Sequence, residues 1–328
     1  MRTVLLLVTL LTGTEAFAVT PIKPRPVFGL QSAASSPLQP LHTLRGGTVQ
    51  SSLATVLSGA MAVPAASGIA AVACSLCYIR QAYVFSLSYG LAMAGIGGAV
   101  LLTSPASTLV TAHAALVAAY GARLFGFLFW RQRFQPSYDG TAKLKKLDKT
   151  PRLQRTPAVL STALFYGLMS SPLLFHLQAA PLAGLAGQVS GAGCAVAALG
   201  LAYEAVADQQ KSIYKIGLRA AGKDDELYVG GVWARSRHAN YYGELVFWCG
   251  SFVAGLPALF AAGVPLYVRA LKAASSGLGL AGIFFIMLSA TKRLEGIYDN
   301  KYRKVGGVPT QRYDAYFASS NALIPKVL

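Results

Sequence analysis

The chain has 328 residues, of which 54% are hydrophobic and only 12% are charged. Because soluble domains carry roughly 25% charged residues, this composition excludes an ordinary soluble protein and indicates an integral membrane protein. The net charge of +17 comes from cations in blocks between apolar runs. Such blocks are typical of loops facing anionic membrane lipids, so we expect membrane lipids and no nucleic acid as partners.

The N-terminus has the pattern of a targeting leader. Residues 1–18 read as a signal peptide, with Arg2 ahead of an apolar core at 4–11 and small residues before a cleavage site. Residues 19–50 are rich in Pro and Ser and contain no acid. This combination resembles the two-part leaders of plastid proteins in algae with secondary plastids. An endoplasmic-reticulum signal followed by a linker is the alternative, so we expect a plastid or endoplasmic-reticulum membrane.

Seven apolar runs follow the leader and predict membrane-spanning helices. They lie at 53–79, 83–103, 106–130, 158–178, 182–203, 245–268 and 277–290. Helices are expected because each segment must satisfy its own backbone polar groups across about 30 Å of hydrocarbon. The sequence therefore predicts an all-α polytopic membrane domain at 51–328, with about seven transmembrane helices.

The connections between these runs predict the orientation of the chain. The connection 131–157 holds eight Lys or Arg against two Asp, whereas those near 104–105 and 179–181 carry no charge. By the positive-inside rule, the polar segment 204–244 and the C-terminal tail share the basic face. Arg269 and Lys272 fall on the opposite face, which a misplaced seventh span would explain.

Most acidic residues are concentrated near one boundary of the membrane. Nine of the twelve acids lie at or beyond Glu204. Glu204, Asp208, Lys211 and Lys215 are spaced at i, i+4, i+7 and i+11, so a helix would place them on one stripe. Ionisable residues are costly in a bilayer, so they are usually paired or functional. The alternative to a functional site is a helix-end cluster in which the two lysines neutralise the two acids.

A second polar cluster begins the sixth apolar run. Arg237, Asn240 and Glu244 repeat the one-face spacing at i, i+3 and i+7. His238 lies beside them and is interpreted either as a proton donor or as an orienting hydrogen-bond partner. His113 and His176 stand in apolar runs and are interpreted as packing residues with satisfied nitrogens. The four cysteines also lie in apolar runs, so we predict neither a disulfide framework nor a metal site.

The order of polar residues in the C-terminal half resembles the C-terminal domain of the steroid 5α-reductase-like family of membrane reductases. The resemblance covers about 115–328. The residues that carry it are Glu204, Ala207, Asp208, Gln209, Lys211, Gly231, Trp233, Ser236, Arg237, His238, Asn240, Tyr241, Gly243, Glu244, Trp248, Gly250, Tyr313, Tyr316, Leu323, Ile324 and Pro325. Arg123 and Arg131 also fit an arginine pattern of these relatives, so Arg123 is a candidate for the cavity wall.

The resemblance implies an oxidoreductase that binds NADPH in a cavity open to the basic face. It implies contacts of the nicotinamide and ribose with Asn240 and Glu244. His238 and Tyr241 are the candidate catalytic residues. The candidate cofactor-binding residues are Glu204, Asp208, Lys211, Lys215, Arg237, Asn240, Glu244, Arg293, Tyr298 and Tyr302.

The implied reaction is hydride transfer to the β-carbon of a conjugated enone, followed by protonation of the α-carbon. Steroid reductases of the family engage the substrate carbonyl with a carboxylic acid from the N-terminal half. This chain has no acid in its first five apolar runs, so an isoprenoid or another lipid enone is as good a candidate substrate as a steroid. A tyrosine would take the place of that acid: Tyr78, Tyr83, Tyr89, Tyr120 or Tyr166.

Two other functions remain open from the sequence. Isoprenylcysteine-type methyltransferases, which use S-adenosylmethionine, share an RH-x-x-Y pattern that Arg237, His238 and Tyr241 match. They also carry a Glu-Glu pair near the C-terminus, which 293–296 does not supply. The second alternative is a non-catalytic membrane scaffold that keeps the fold. The oligomeric state is not predicted.

Overall fold

The computed structural model describes residues 45–134, 148–179, 181–223, 226–261, 263–304 and 306–326. The predicted signal peptide and most of the predicted leader lie outside these residues. The part of the chain from Gln50 onward forms one compact unit. The described ranges are helical and hold no β-strand, which confirms the predicted all-α class.

The described residues form ten α-helices, numbered in chain order. They are α1 (Arg45–Ser58), α2 (Ala62–Cys74), α3 (Leu87–Leu102), α4 (Thr108–Phe134), α5 (Thr156–Met169), α6 (Ser171–Ala179), α7 (Gly184–Ala220), α8 (Ala239–Gly255), α9 (Leu266–Tyr298) and α10 (Gly307–Ser319). Short 3-10 turns extend or connect several of them, and a π-helical turn at Asp299–Arg303 continues α9.

Four of the described helical segments are long and apolar enough to cross a membrane: Thr108–Phe134, Gly184–Ala220, Ala239–Phe260 and Leu266–Arg303. Counting the two bent pairs formed by α1 with α2 and by α5 with α6 raises the number to six, with bends of 118° and 43°. Helix α3 is apolar but shorter. The predicted seven spans are therefore not confirmed as seven straight crossings, because two predicted runs bend and one is short.

The boundaries of the last two predicted spans were wrong. The chain leaves α8 at Gly255, passes through a 3-10 turn and starts α9 at Leu266, after Gly263 in the left-handed region at φ 75°. Helix α9 is 33 residues long, more than twice the predicted run at 277–290. Arg269 lies in its first turn and donates to the carbonyls of Val264 and Ala261, at the end of α9 remote from the tail.

Helix α7 continues well past the apolar run that predicted it. It spans 37 residues to Ala220, so the stripe from Glu204 to Lys215 is helical as the spacing predicted. The helix ends where Gly222 adopts φ 64° and the backbone N–H of Lys223 donates to the carbonyl of Leu218. A glycine in the left-handed conformation just after the last turn is a common helix stop.

Helices α7 and α8 pack closely along a seam of glycines spaced seven residues apart. Gly193 and Gly200 lie on α7, and Gly243 and Gly250 lie on α8. A Cβ added at Gly243 would lie 2.6 Å from the backbone nitrogen of Glu204. The seam therefore fixes the distance between the carboxyl-bearing turns of both helices, since small residues let helix backbones approach closely.

The interpretation of His113 and His176 as satisfied packing residues is confirmed. Their Nδ1 atoms are 3.3 Å apart, and both side chains are fully buried. The other ring nitrogens contact Ser251 at 2.8 Å and Ser190 at 3.1 Å. These four residues come from α4, α6, α8 and α7, so the hydrogen bonds join four helices in the core.

Candidate functional site

A cavity of about 520 Å³ opens where the C-terminal ends of α4, α7 and α9 meet the start of α8. This is the face predicted to be basic. The described residues that line it are Phe127, Arg131, Asp208, Lys211, Ser212, Lys215, Leu218, Arg219, Lys223, Trp233, His238, Asn240, Tyr241, Leu294 and Tyr298. Five of them are cations and one is a carboxylate, so the cavity favours an anionic ligand.

The lining has a cationic end and an end rich in aromatic and hydrogen-bonding groups. Along α7, Asp208 and Arg219 are eleven residues apart, which at 1.5 Å per residue is about 16 Å. Lys215, Arg219 and Lys223 form the cationic end. The Asp208 end also holds His238, Asn240, Tyr241 and Tyr298 from α8, its N-terminal boundary and α9. Asn240 of α8 and Asp208 of α7 lie together in this part of the lining.

Lys211 lies between two aromatic rings of the cavity wall. Its Nζ is 4.0 Å from the ring centroid of Trp233 and 5.9 Å from that of Tyr298. The Trp233 indole donates to the carbonyl of Ala207 at 2.9 Å, which holds the ring against α7. Gly231, at φ 56°, lets the same loop approach Gln210, whose side-chain oxygen accepts from the N–H of Val232 at 3.0 Å.

Behind this wall, Arg123 of α4 joins the two acids of the stripe. Its Nη2 donates to Glu204 Oε1 at 2.6 Å and to Asp208 Oδ2 at 2.9 Å. Glu204 is 2% exposed, and its Oε2 is buried without a hydrogen-bond partner among the described residues. Arg123 itself is not among the lining residues, so its role is to neutralise buried carboxylates. In the sequence analysis, the only partners considered for these two acids were Lys211 and Lys215 of the same helix.

Glu244 lies deeper, in a buried network of aromatic residues. Its Oε1 accepts from the Tyr89 hydroxyl at 2.8 Å, and Tyr89 accepts from Tyr120 at 3.0 Å and from the Trp248 indole at 2.7 Å. Tyr166 stacks on Tyr89 with ring centroids 5.2 Å apart. Three of the five tyrosines considered for the substrate carbonyl therefore gather beside Glu244.

The segment that presents His238 is fixed by the C-terminal tail. The backbone N–H groups of Arg237 and His238 donate to the carbonyls of Asn321 and Ala322. The Tyr316 hydroxyl donates to the carbonyl of Trp233 at 2.6 Å, and burial raises the pKa of this hydroxyl, so it stays a donor at neutral pH. The tail thus secures both edges of the loop that forms one wall of the cavity.

The predicted site residues fall into three groups. Those that line the cavity are Asp208, Lys211, Lys215, His238, Asn240, Tyr241 and Tyr298. Those buried outside the lining are Glu204, Arg237, Glu244 and Tyr302, and Tyr302 packs on Tyr298 and Tyr313. Arg293 is exposed and lies outside the lining.

Sequence reasoning missed several residues of the site. Arg219 and Lys223 line the cationic end, and Trp233 forms a wall. The first two extend the stripe of α7 at its last turn and just beyond it, so continuing the helical periodicity would have found them. Glu295, which contacts both Arg237 and His238, gave no such signal because it lies 57 residues after His238 in the chain.

A comparison with protein families identifies the family of the chain. The model of the family described as "Protein of unknown function (DUF1295)" matches residues 85–304, which is more than half of the chain and includes every lining residue. The match begins before residue 115, where the resemblance was expected to start. No curated protein and no solved structure matches the chain significantly. The chain belongs to the DUF1295 family, which is steroid 5α-reductase-like.

Proposed function

We propose that this protein is a membrane-bound, NADPH-dependent reductase that saturates a conjugated C=C bond in a steroid, isoprenoid or other lipid enone. The observation that carries the proposal is the single cavity wall on which a row of cations leads to His238, Asn240 and Tyr241. A dinucleotide needs such a division, with cations for its phosphates and hydrogen-bonding groups for its nicotinamide. The cations lie on α7 or just beyond its end, and the hydrogen-bonding groups lie beside Asp208 of the same helix.

The cationic end fits the phosphates of NADPH. Lys215, Arg219 and Lys223 supply three positive charges for a pyrophosphate and a 2′-phosphate, and charge-assisted hydrogen bonds to phosphate are among the stronger polar contacts in proteins. The distance of about 16 Å from Asp208 to Arg219 along α7 suits an extended dinucleotide better than a single phosphate group.

The other end fits a nicotinamide carboxamide, which both donates and accepts hydrogen bonds. Asp208 accepts, and Asn240 does both. The buried Oε2 of Glu204 is an acceptor that lacks a donor among the described residues, one helical turn from Asp208. Glu204 lies behind the cavity wall, so the direct contacts of the carboxamide would come from Asp208 and Asn240.

When bound, NADPH supplies the hydride for the β-carbon of the enone. The protein then has to provide a hydrogen-bond donor for the enolate oxygen and a proton for the α-carbon. His238 and Tyr241 are the two neighbouring lining residues that can hold such a proton, and their rings stack 5.5 Å apart. The buried residues Tyr89, Tyr120 and Tyr166, which gather beside Glu244, are the candidates for a hydrogen bond to the substrate carbonyl.

The cavity charge argues against the methyltransferase alternative. S-adenosylmethionine carries a positive sulfonium and no phosphate, so five lining cations against Asp208 would repel its reactive centre. A scaffold would not need the carboxylates that Arg123 neutralises in the interior. Both alternatives remain measurable outcomes of the test below.

The test is thermal unfolding of the full-length protein in detergent, with NADPH, NADH or S-adenosylmethionine added separately. A ligand that binds only the folded state stabilises it by about 2.7 kcal/mol at 100 times its dissociation constant. We expect NADPH to raise the midpoint most. We also expect Asp208→Ala to weaken NADPH binding more than tenfold, or over about 1.4 kcal/mol.

A shift with S-adenosylmethionine alone would replace the reductase by a methyltransferase, and the absence of any shift would favour a scaffold. Loss of NADPH absorbance on addition of lipid enones then identifies the substrate class. The proposed location, a plastid or endoplasmic-reticulum membrane, rests on residues 1–50. A fluorescent protein fused to these residues would report which of the two membranes receives it.

A further inference from the structure

Glu295 joins the two residues that begin the RH-x-x-Y segment. Its Oε1 lies 2.9 Å from the Nε2 of His238 and 3.0 Å from the Nε of Arg237, and its Oε2 lies 3.0 Å from Arg237 Nη2. Its side chain is 17% exposed, whereas those of His238 and Arg237 are 3% and 6% exposed. A carboxylate therefore reaches the ring of a candidate catalytic histidine from outside the cavity lining.

The ring of His238 is held on both faces as well. Tyr241 stacks on it at 5.5 Å with an interplanar angle of 17°, and Tyr298 at 6.1 Å with an angle of 11°. All three side chains line the cavity. The stacking fixes the plane of the imidazole, and the contact with Glu295 fixes its rotation within that plane.

Arg237 holds the carboxylate of Glu295 in place beside the ring of His238. Its Nη1 donates to the carbonyl of Ser320 at 2.6 Å, and its guanidinium carbon lies 3.9 Å from the ring centroid of Phe317. Arg237 has only donors, so both oxygens of Glu295 act as acceptors. Arg237 is therefore engaged by Glu295 and the tail.

This geometry determines which ring nitrogen carries the proton. An ionised carboxylate only accepts, so Nε2 of His238 must donate to Glu295. In a neutral imidazole the hydrogen bond made by one nitrogen sets the role of the other, which makes Nδ1 the acceptor. The neutral ring would then accept a hydrogen bond through Nδ1, and a proton taken up at that nitrogen would be the one that His238 could pass to the α-carbon.

We infer that Glu295 is a positioning residue, which holds His238 in the Nε2–H tautomer and in one orientation at the cavity wall. Its importance for reduction rests on the proposed function, whereas its effect on the tautomer does not. The substitution Glu295→Gln separates these statements. With only one oxygen left, which Arg237 claims, the amide N–H₂ would face His238 and force Nε2 to become the acceptor.

The experiment is ¹⁵N NMR of the full-length protein in detergent, with labelled histidine, at a pH where the rings are neutral. His238→Gln assigns the signals by their loss. We expect wild-type His238 to carry its proton on Nε2, and Glu295→Gln to move it to Nδ1. Asp314→Asn is the matched control, because Asp314 pairs with Arg303 in the same C-terminal region. It should leave the His238 signals unchanged, and the signals of His113 and His176 should be unaffected by both variants.

Three results would overturn the inference: a wild-type His238 protonated on Nδ1, a tautomer that Glu295→Gln leaves unchanged, or an equal change with Asp314→Asn. The first of these needs no variant, so the inference can be refuted even if Glu295→Gln does not fold. NADPH-dependent stabilisation of the wild type, measured on the same preparation, tests the proposed function independently. A tautomer change without NADPH binding would keep the role of Glu295 and reject the reductase.

Discussion

Replacing Arg123 should destabilise the protein strongly, because this residue neutralises two buried acids. Its guanidinium makes three hydrogen bonds of 2.6 to 3.0 Å, one to Glu204 and two to Asp208. The side chains of Glu204 and Asp208 are 3% and 11% exposed, so water cannot replace the lost partner well. Removing one partner of a buried ion pair costs about 3 to 5 kcal/mol.

Arg123→Met is the suitable change, since methionine keeps a long unbranched side chain and removes the charge. For a chain of this size, about 3 to 5 kcal/mol corresponds to a fall of roughly 4 to 7 °C in the unfolding midpoint. Adding Glu204→Gln and Asp208→Asn to Arg123→Met should recover much of the loss, because the triple variant buries no uncompensated charge. The assay is thermal unfolding in one detergent for all variants.

A midpoint of Arg123→Met within about 1 °C of the wild type would refute this reasoning, since it corresponds to less than about 1 kcal/mol. The same conclusion would follow if the neutral triple variant were no more stable than Arg123→Met. In that case other groups would neutralise the two acids, such as Lys211 and Lys215 in the alternative of a cluster within α7.

Two further predictions concern the seam and the cationic end. Gly243→Ala should cost about 1 to 3 kcal/mol, because its Cβ would meet the backbone of Glu204. Gly217→Ala, on α7 with nothing within 4 Å of the added Cβ, should instead stabilise by up to about 1 kcal/mol. If Gly243→Ala and Gly217→Ala lowered the unfolding midpoint equally, the close packing of α7 and α8 at Gly243 would be contradicted. Arg219→Ala and Lys223→Ala should each weaken NADPH by about tenfold and NADH less, as measured by ligand-dependent midpoints. Equal weakening of NADPH and NADH binding would mean that neither cation contacts the 2′-phosphate.

Periodicity was sufficient to predict the part of the site that lies on one helix. The spacing of Glu204, Asp208, Lys211 and Lys215 predicted a shared stripe, and α7 carries it as a helix. The partner of the acids was not predictable in the same way. Arg123 precedes Glu204 by 81 residues, and a stripe on one helix contains no information about which neighbouring helix faces it.

The boundaries of the apolar runs were harder to predict than their existence. Hydropathy alone joined 261–268 to the preceding run, because Ala, Val, Leu and Tyr are common there. The stop signal was local: Gly263 adopts φ 75°, and Pro265 immediately precedes α9. Weighting glycine and proline above mean hydropathy would have placed the turn correctly and extended α9 toward its N-terminus.

The position of the acids beside the glycine seam is the strongest physical reason to regard this region as functional. Close packing at Gly243 brings α8 against Glu204, and Glu204 and Glu244 are near enough to repel each other. Arg123 neutralises one, and Tyr89 donates to the other. An apolar seam would pack equally well without either acid, since glycine and alanine alone make the contact. Burying these two carboxyl groups therefore costs stability that packing does not require. Such a cost is expected where a ligand uses the groups, and Asp208, one turn along α7, already lines the cavity.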